Sequence, residues 1–191
     1  RSALKFNTTG ANNTALGHIA LCSNTTASDS VAVGDYALRS NTTGANNVSM
    51  GVNALGSNTT ASNNTAVGRS ALATNTTGAS NTAVGRLALV GNTTGCQNTV
   101  VGYCAGDTIT TGVNNTIIGY NGTPNLSTGA ANVTIGDIGA LGSRLFNITT
   151  ENDRFLAGHT NISNAYVKVA WTVTSDLRDK MNFGTVPHGL D

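Results

Sequence analysis

The stretch NTTASNNTAVG, residues 58–68, decides the fold, because its pattern recurs at a fixed interval along most of the chain. Its glycine is one of a series, Gly17, Gly34, Gly51, Gly68, Gly85, Gly102, Gly119 and Gly136, each at a multiple of 17, with no insertion or deletion over eight copies. The triplet Asn-Thr-Thr begins at residues 7, 24, 41, 58, 75 and 92, then decays to Ile109-Thr110-Thr111 and Leu126-Ser127-Thr128. An Ala-Leu pair follows each early glycine. A fixed period this short means one supersecondary unit stacked on copies of itself.

The five residues ending at each glycine read Asn-Thr-Ala-Val-Gly or a close variant, such as Asn13-Thr14-Ala15-Leu16-Gly17. Their apolar and β-branched residues alternate with period two, which favours an extended strand, while the many Gly, Asn and Thr residues disfavour a helix. A second apolar site, Leu21, Leu38, Leu55, Leu72 and Leu89, lies four residues after each glycine, where a corner and a second short strand are expected. Two short strands and two turns per 17 residues describe one coil of an all-β, parallel β-solenoid or β-roll, with coils about 4.8 Å apart. Equivalent residues then form columns. Asn13, Asn47, Asn64, Asn81, Asn98, Asn115 and Asn132, with Ser30 as the exception, suit an amide ladder in which each side chain bonds to the next.

Composition fits a narrow rod. Charged residues make up 10% and aromatics 5%, against 30 Thr, 25 Asn and 23 Gly in 191 residues. Such a coil encloses little apolar area, and burial at about 25 cal/mol per Å² is hard pressed to offset about 1–2 kcal/mol of backbone entropy per residue. Further apolar area is expected from neighbouring chains, and because both faces of the strand are apolar or small, a homotrimer is expected. The net charge of +1 supplies no electrostatic case for nucleic acid. No apolar run reaches the roughly 18 residues of a spanning helix, so no membrane insertion is expected. Cys22, Cys96 and Cys104 fall in three phases of the repeat without metal or disulfide spacing; they are expected to be small apolar fillers in a reducing cytoplasm. No metal and no cofactor is expected. Residue 1 falls inside a repeat, so more coils are expected upstream.

The column after the glycine is variable: His18, Asp35, Val52, Arg69, Arg86, Tyr103, Tyr120 and Asp137. That variety marks a solvent-facing edge. Within it Arg69, Arg86, Tyr103 and Tyr120 are candidate receptor-binding residues, since tyrosine stacks on pyranose rings and arginine meets acidic sugars. The Asn-Thr-Thr triplets also match the N-glycosylation pattern, a coincidence to be expected in a chain so rich in Asn and Thr. The threonine columns admit one more possibility, an ice-binding face.

Regularity ends near Leu141, which divides the chain into a shaft (1–141), a β-rich neck or cap (142–174) with Trp171 as its anchor, and a terminal piece (175–191). The last opens Ser175-Asp176-Leu177-Arg178-Asp179-Lys180-Met181-Asn182, where Ser175 or Asp176 caps a helix start. Ser175 and Lys180 could serve as nucleophile and base, but five residues along a helix turn by about 140°, so the pair needs a bend or a neighbouring subunit. Outside 175–180 no paired carboxylates, metal cluster or phosphate-cradling loop emerges, and a turnover enzyme is not expected.

The SD-x-R-x-K-x-N pattern of residues 175–182 resembles the opening of the intramolecular chaperone auto-processing domain at the C-terminus of phage tail fibres, tailspikes and endosialidases. The Asn-Thr-Ala-Val-Gly coils resemble those of such fibres, and also the head repeats of trimeric autotransporter adhesins. The resemblance implies a homotrimeric virion shaft that projects toward the host surface, assembled in the host cytoplasm. Implied partners are other tail fibre proteins and a host cell-surface glycan or protein. It also implies chaperone-assisted trimerisation and self-cleavage at Ser175 with help from Lys180. Only 17 residues would belong to that chaperone domain, too few for activity to be expected of this chain. The alternative is an adhesin head, which should lead into a heptad-bearing stalk; heptads are absent here.

Overall fold

The computed structural model describes residues 2–121, 126–136, 150 and 152–157. They form one parallel sheet of nine three-residue strands: β1 (Thr14–Leu16), β2 (Val31–Val33), β3 (Val48–Met50), β4 (Thr65–Val67), β5 (Thr82–Val84), β6 (Thr99–Val101), β7 (Thr116–Ile118), β8 (Val133–Ile135) and β9 (Phe155–Ala157). The strands pair strictly in chain order. From β1 to β8 each residue stands beside the one 17 positions on, as in Ala66 beside Ala83. The protein is therefore a parallel β-solenoid, with seven full turns between β1 and β8.

Each strand is three residues long because a glycine with φ between 130° and 141° follows at Gly17 through Gly119. That conformation excludes side chains, and so does the space: a Cβ on Gly68 would sit 2.5 Å from the Gly85 carbonyl oxygen on the next coil. The middle residue of each strand faces inward, and from Ala32 to Thr134 it is fully buried.

The expected second strand is not formed among the described residues. Leu21, Leu38, Leu55, Leu72 and Leu89 take left-handed φ values of 48° to 53°, so the chain turns there instead of extending. A left-handed residue costs roughly 1–2 kcal/mol. Each of these leucines is 0% exposed, and burying such a side chain returns roughly 1.5–3 kcal/mol. The core holds the leucine in its strained conformation.

Two asparagine ladders run through the interior. The expected one is present: Asn81, Asn98, Asn115 and Asn132 each donate Nδ2–H to the Oδ1 of the preceding member, at 3.0–3.2 Å. The same Oδ1 also accepts the next coil's backbone N–H, as from Asn98 to Asn81 at 3.0 Å. Ser30 keeps this function with its hydroxyl, which accepts from the Asn47 N–H. The residue before it in each coil explains the Asn-Asn dipeptides: Asn12, Asn46, Asn63 and Asn114 have φ of 56° to 62°, a region asparagine tolerates.

The second ladder consists of the triplet asparagines. Asn24, Asn41, Asn58, Asn75 and Asn92 donate to the Oδ1 one coil back at 2.7–3.2 Å, and to the carbonyl three residues ahead at 2.9 Å. All five are fully buried. The ladder ends at Asn92, whose buried Oδ1 has no partner because Ile109 occupies the next position.

Packing changes at that same place. Gly106 (φ 59°) replaces the left-handed leucine, and a Cβ there would lie 3.3 Å from Ile109 Cδ1 and Ile117 Cδ1 and 3.4 Å from Val100 Cγ1. Larger residues at 100, 109 and 117 fill the volume the leucine gives up, and the glycine relieves the strain.

The sheet continues past residue 141, through β9, into the segment assigned to a neck. Val133 pairs with Phe155, a step of 22 residues instead of 17. Arg154 holds the asparagine-ladder position, its backbone N–H donating to Asn132 Oδ1 at 3.1 Å. No helix occurs among the described residues; the expected helix start and Trp171 lie outside them.

Substitutions at three glycines test this packing. Gly68→Ala should lower unfolding free energy by more than about 3 kcal/mol in urea titrations. Gly56→Ala, whose Cβ would meet the movable Asn53 side chain and, at 3.3 Å, the Asn53 carbonyl oxygen, at a position occupied by Ala73 on the next coil, should cost less than about 1 kcal/mol. Gly106→Leu alone should cost about 2 kcal/mol through overpacking; combined with Val100→Ala, Ile109→Asn and Ile117→Ala, which copies the earlier coils, the loss should shrink, measured as a coupling in the same titrations.

Candidate functional site

With the interior committed to ladders and leucines, chemistry that could engage a partner is left to three outer columns. The first follows the glycines. His18 donates its backbone N–H to Asp35 Oδ1 at 3.1 Å, its ring meets the Tyr36 ring edge-on at 5.3 Å, and Arg39 lies 5.6 Å over Tyr36. Further along, Arg86 Nη1–H donates to the Tyr103 hydroxyl at 2.7 Å. The Arg86 guanidinium sits 5.2 Å from the centre of the Tyr103 ring, and Tyr103 stacks on Tyr120 with centroids 5.4 Å apart and planes 7° from parallel. The fold thus brings Arg86, Tyr103 and Tyr120 into one connected row, with Arg69 one coil before them. All four are exposed. Arg86 belongs to the coil before Tyr103 and Tyr120 to the coil after it, so the faces of the Tyr103 ring are occupied by its neighbours.

The second column is the outer face of the sheet. Because side chains alternate along a strand, the residues flanking each buried centre point outward. Leu16 (67% exposed), Met50 (44%), Ile118 (43%) and Ile135 (43%) stand in line with half-buried Val33, Val67, Val84 and Val101.

The third is the threonine face. Thr25, Thr42, Thr59, Thr76 and Thr93 each donate Oγ1–H to the carbonyl of the equivalent residue on the next coil, at 3.0–3.1 Å. In these five triplets only the second threonine is exposed. One of the two threonine columns is therefore engaged by the backbone, which leaves a sparser hydroxyl array than the triplet implies.

Burial of the triplet asparagines has a chemical consequence. Their Nδ2 atoms are spent in the ladder, so the folded solenoid cannot carry a glycan on them. Cys22 is buried, Cys96 and Cys104 are half-buried, and all three are free thiols. Among the described residues no group of three or more His, Cys, Asp or Glu could hold a metal ion, and no helix is long and apolar enough to cross a membrane. Ser175 and Lys180 lie outside the described residues, as does Asp137. No protein-family model, curated protein or solved structure matches the chain.

Sequence reasoning treated the triplet as a marker of period and missed its ladder. Nothing within the triplet singled out its asparagine, because the two threonines recur as rigidly as it does over six copies. An exposed column, by contrast, tolerates exchange. Tyr103→Val, which copies Val52 three positions earlier in the column, should cost no more than about 1 kcal/mol, the worth of an exposed aromatic pair, when unfolding is followed by circular dichroism.

Proposed function

We propose that the chain is a structural shaft: a rigid β-solenoid rod that associates with copies of itself and projects toward a surface, as in a trimeric phage tail fibre or spike. The observation that carries this reading is the apolar outer column of the sheet, Leu16, Met50, Ile118 and Ile135 with the valines between them. Eight coils at about 4.8 Å make it about 34 Å long, and at roughly 10 Å wide it offers on the order of 300–400 Å². An apolar area of that size marks an interaction site. It is about half of what one partner buries in a standard interface, so flanking residues must contribute, and a threefold arrangement gives each chain two neighbours. The repeat supports a like partner, since identical rods match coil for coil.

In this reading Ser175 and Lys180 begin a chaperone segment that promotes trimer assembly and is severed at Ser175. The low charge and the ladders supply stiffness; the variable column after the glycines carries whatever recognition the rod performs.

Sedimentation equilibrium at micromolar concentration should return three times the chain mass. Val67→Asp with Val84→Asp, which places carboxylates on the outer column, should dissociate the assembly while far-ultraviolet circular dichroism stays β-rich. A folded monomer for the unaltered chain would defeat the proposal.

A further inference from the structure

Between Arg39 and Asp107 the chain contains no Asp, Glu or Lys, and its only ionised side chains are Arg69 and Arg86. They occupy the same position on successive coils, one residue after Gly68 and Gly85, so their backbones are about 4.8 Å apart. Both side chains are exposed. Their column neighbours are Val52 on one side and Tyr103 on the other, and the nearest carboxylate in the column, Asp35, is two coils from Arg69, about 10 Å away or one Debye length in 0.1 M salt. Two like charges are thus held side by side, and among the described residues no carboxylate forms an ion pair with either.

Arg86 is also held in place. Its Nη1–H bond to the Tyr103 hydroxyl, at 2.7 Å, and its position 5.2 Å over the ring engage neutral partners, so the guanidinium is oriented without being neutralised. One of its five N–H donors is used there, and the others remain for a ligand. Tyr120 braces Tyr103 from the following coil by stacking. Immobilising a guanidinium this way lowers the ordering cost of binding.

We propose that Arg69 and Arg86 bind the carboxylate or sulfate groups of an acidic polysaccharide lying along the solenoid, with Tyr103 as the positioning residue for Arg86. Guanidinium groups match such oxyanions through paired N–H bonds. The phenol hydroxyls of Tyr103 and Tyr120 extend the row with donors and acceptors suited to sugar hydroxyls. A nucleic acid fits less well, because two charges neutralise too few phosphates for useful affinity and base stacking needs an open ring face, which Tyr103 lacks. The pair belongs to each chain, so this inference stands or falls independently of trimer formation.

The test is biolayer interferometry of the 191-residue chain on immobilised polygalacturonate, dextran sulfate, neutral dextran and single-stranded poly(dT). Binding to at least one acidic polysaccharide and not to neutral dextran is expected. Arg69→Gln and Arg86→Gln should each weaken it about tenfold, the loss of one charge-assisted contact. Tyr103→Phe, which keeps the ring and loses the hydroxyl, should weaken it about threefold at unchanged melting temperature, and should have no further effect in the Arg86→Gln background. Failure to bind either acidic polysaccharide, unchanged binding by the double glutamine variant, or tighter binding to poly(dT) would overturn the site. A Tyr103→Phe effect that persists without Arg86 would overturn the positioning role.

Discussion

The stacking of identical buried amides is the constraint on which the rest of this structure depends. A narrow coil cannot surround its polar backbone with apolar bulk, so carbonyls and N–H groups at its corners need partners from within. The asparagines provide them, and each finds its own missing partner one coil away. Asn58, for example, donates both to Asn41 Oδ1 and to the Ala61 carbonyl of its own coil. A one-residue insertion anywhere in the repeat would move a whole rung out of line in both ladders. Each amide left unpaired would cost about 1–3 kcal/mol, which gives a physical reason for eight copies without an insertion. Where the triplet ladder has ended, at Ile109 and Leu126, the period relaxes: the step from β8 to β9 is 22 residues, five more than 17. Only the ladder that ends at Asn132 bridges it, through the Arg154 backbone N–H.

Strain and volume follow the same arrangement. Left-handed leucines are unfavourable in isolation, but the turn they occupy must both reverse the chain and deliver the largest buried side chain of the coil to its centre. At Gly106 the conformation is retained and the side chain is dropped, and Val100, Ile109 and Ile117 grow to compensate. The polar ladder yields to aliphatic packing at that coil, which leaves Asn92 Oδ1 as the one triplet amide oxygen that is buried and without a partner.

An interior so fully specified leaves the outside free to vary. The outer face of the sheet stays apolar on nearly every coil, as a surface for self-association would. The column after the glycines holds no one residue type throughout, and on it two arginines and two stacked tyrosines follow one another over four coils. The period, the strand position, the alanine column and one of the two asparagine ladders could be read from the sequence, because each leaves a column of like residues. The stacked tyrosines could also be anticipated as neighbours, though not the guanidinium that covers one of their rings. The triplet ladder could not be read, since Asn-Thr-Thr looks the same whether its asparagine faces solvent or the core. The second strand was a misreading for a related reason: an apolar site marks burial, and burial does not distinguish an extended residue from a left-handed one.

Periodicity along the chain thus determined which residues stack, because a fixed repeat forces every equivalent position onto one line. Tertiary structure alone decided which way each line faces. That choice rests on backbone dihedrals at the corners, set by glycines pressed against the next coil and by leucines held left-handed through burial, and these are contacts between coils that no single repeat contains.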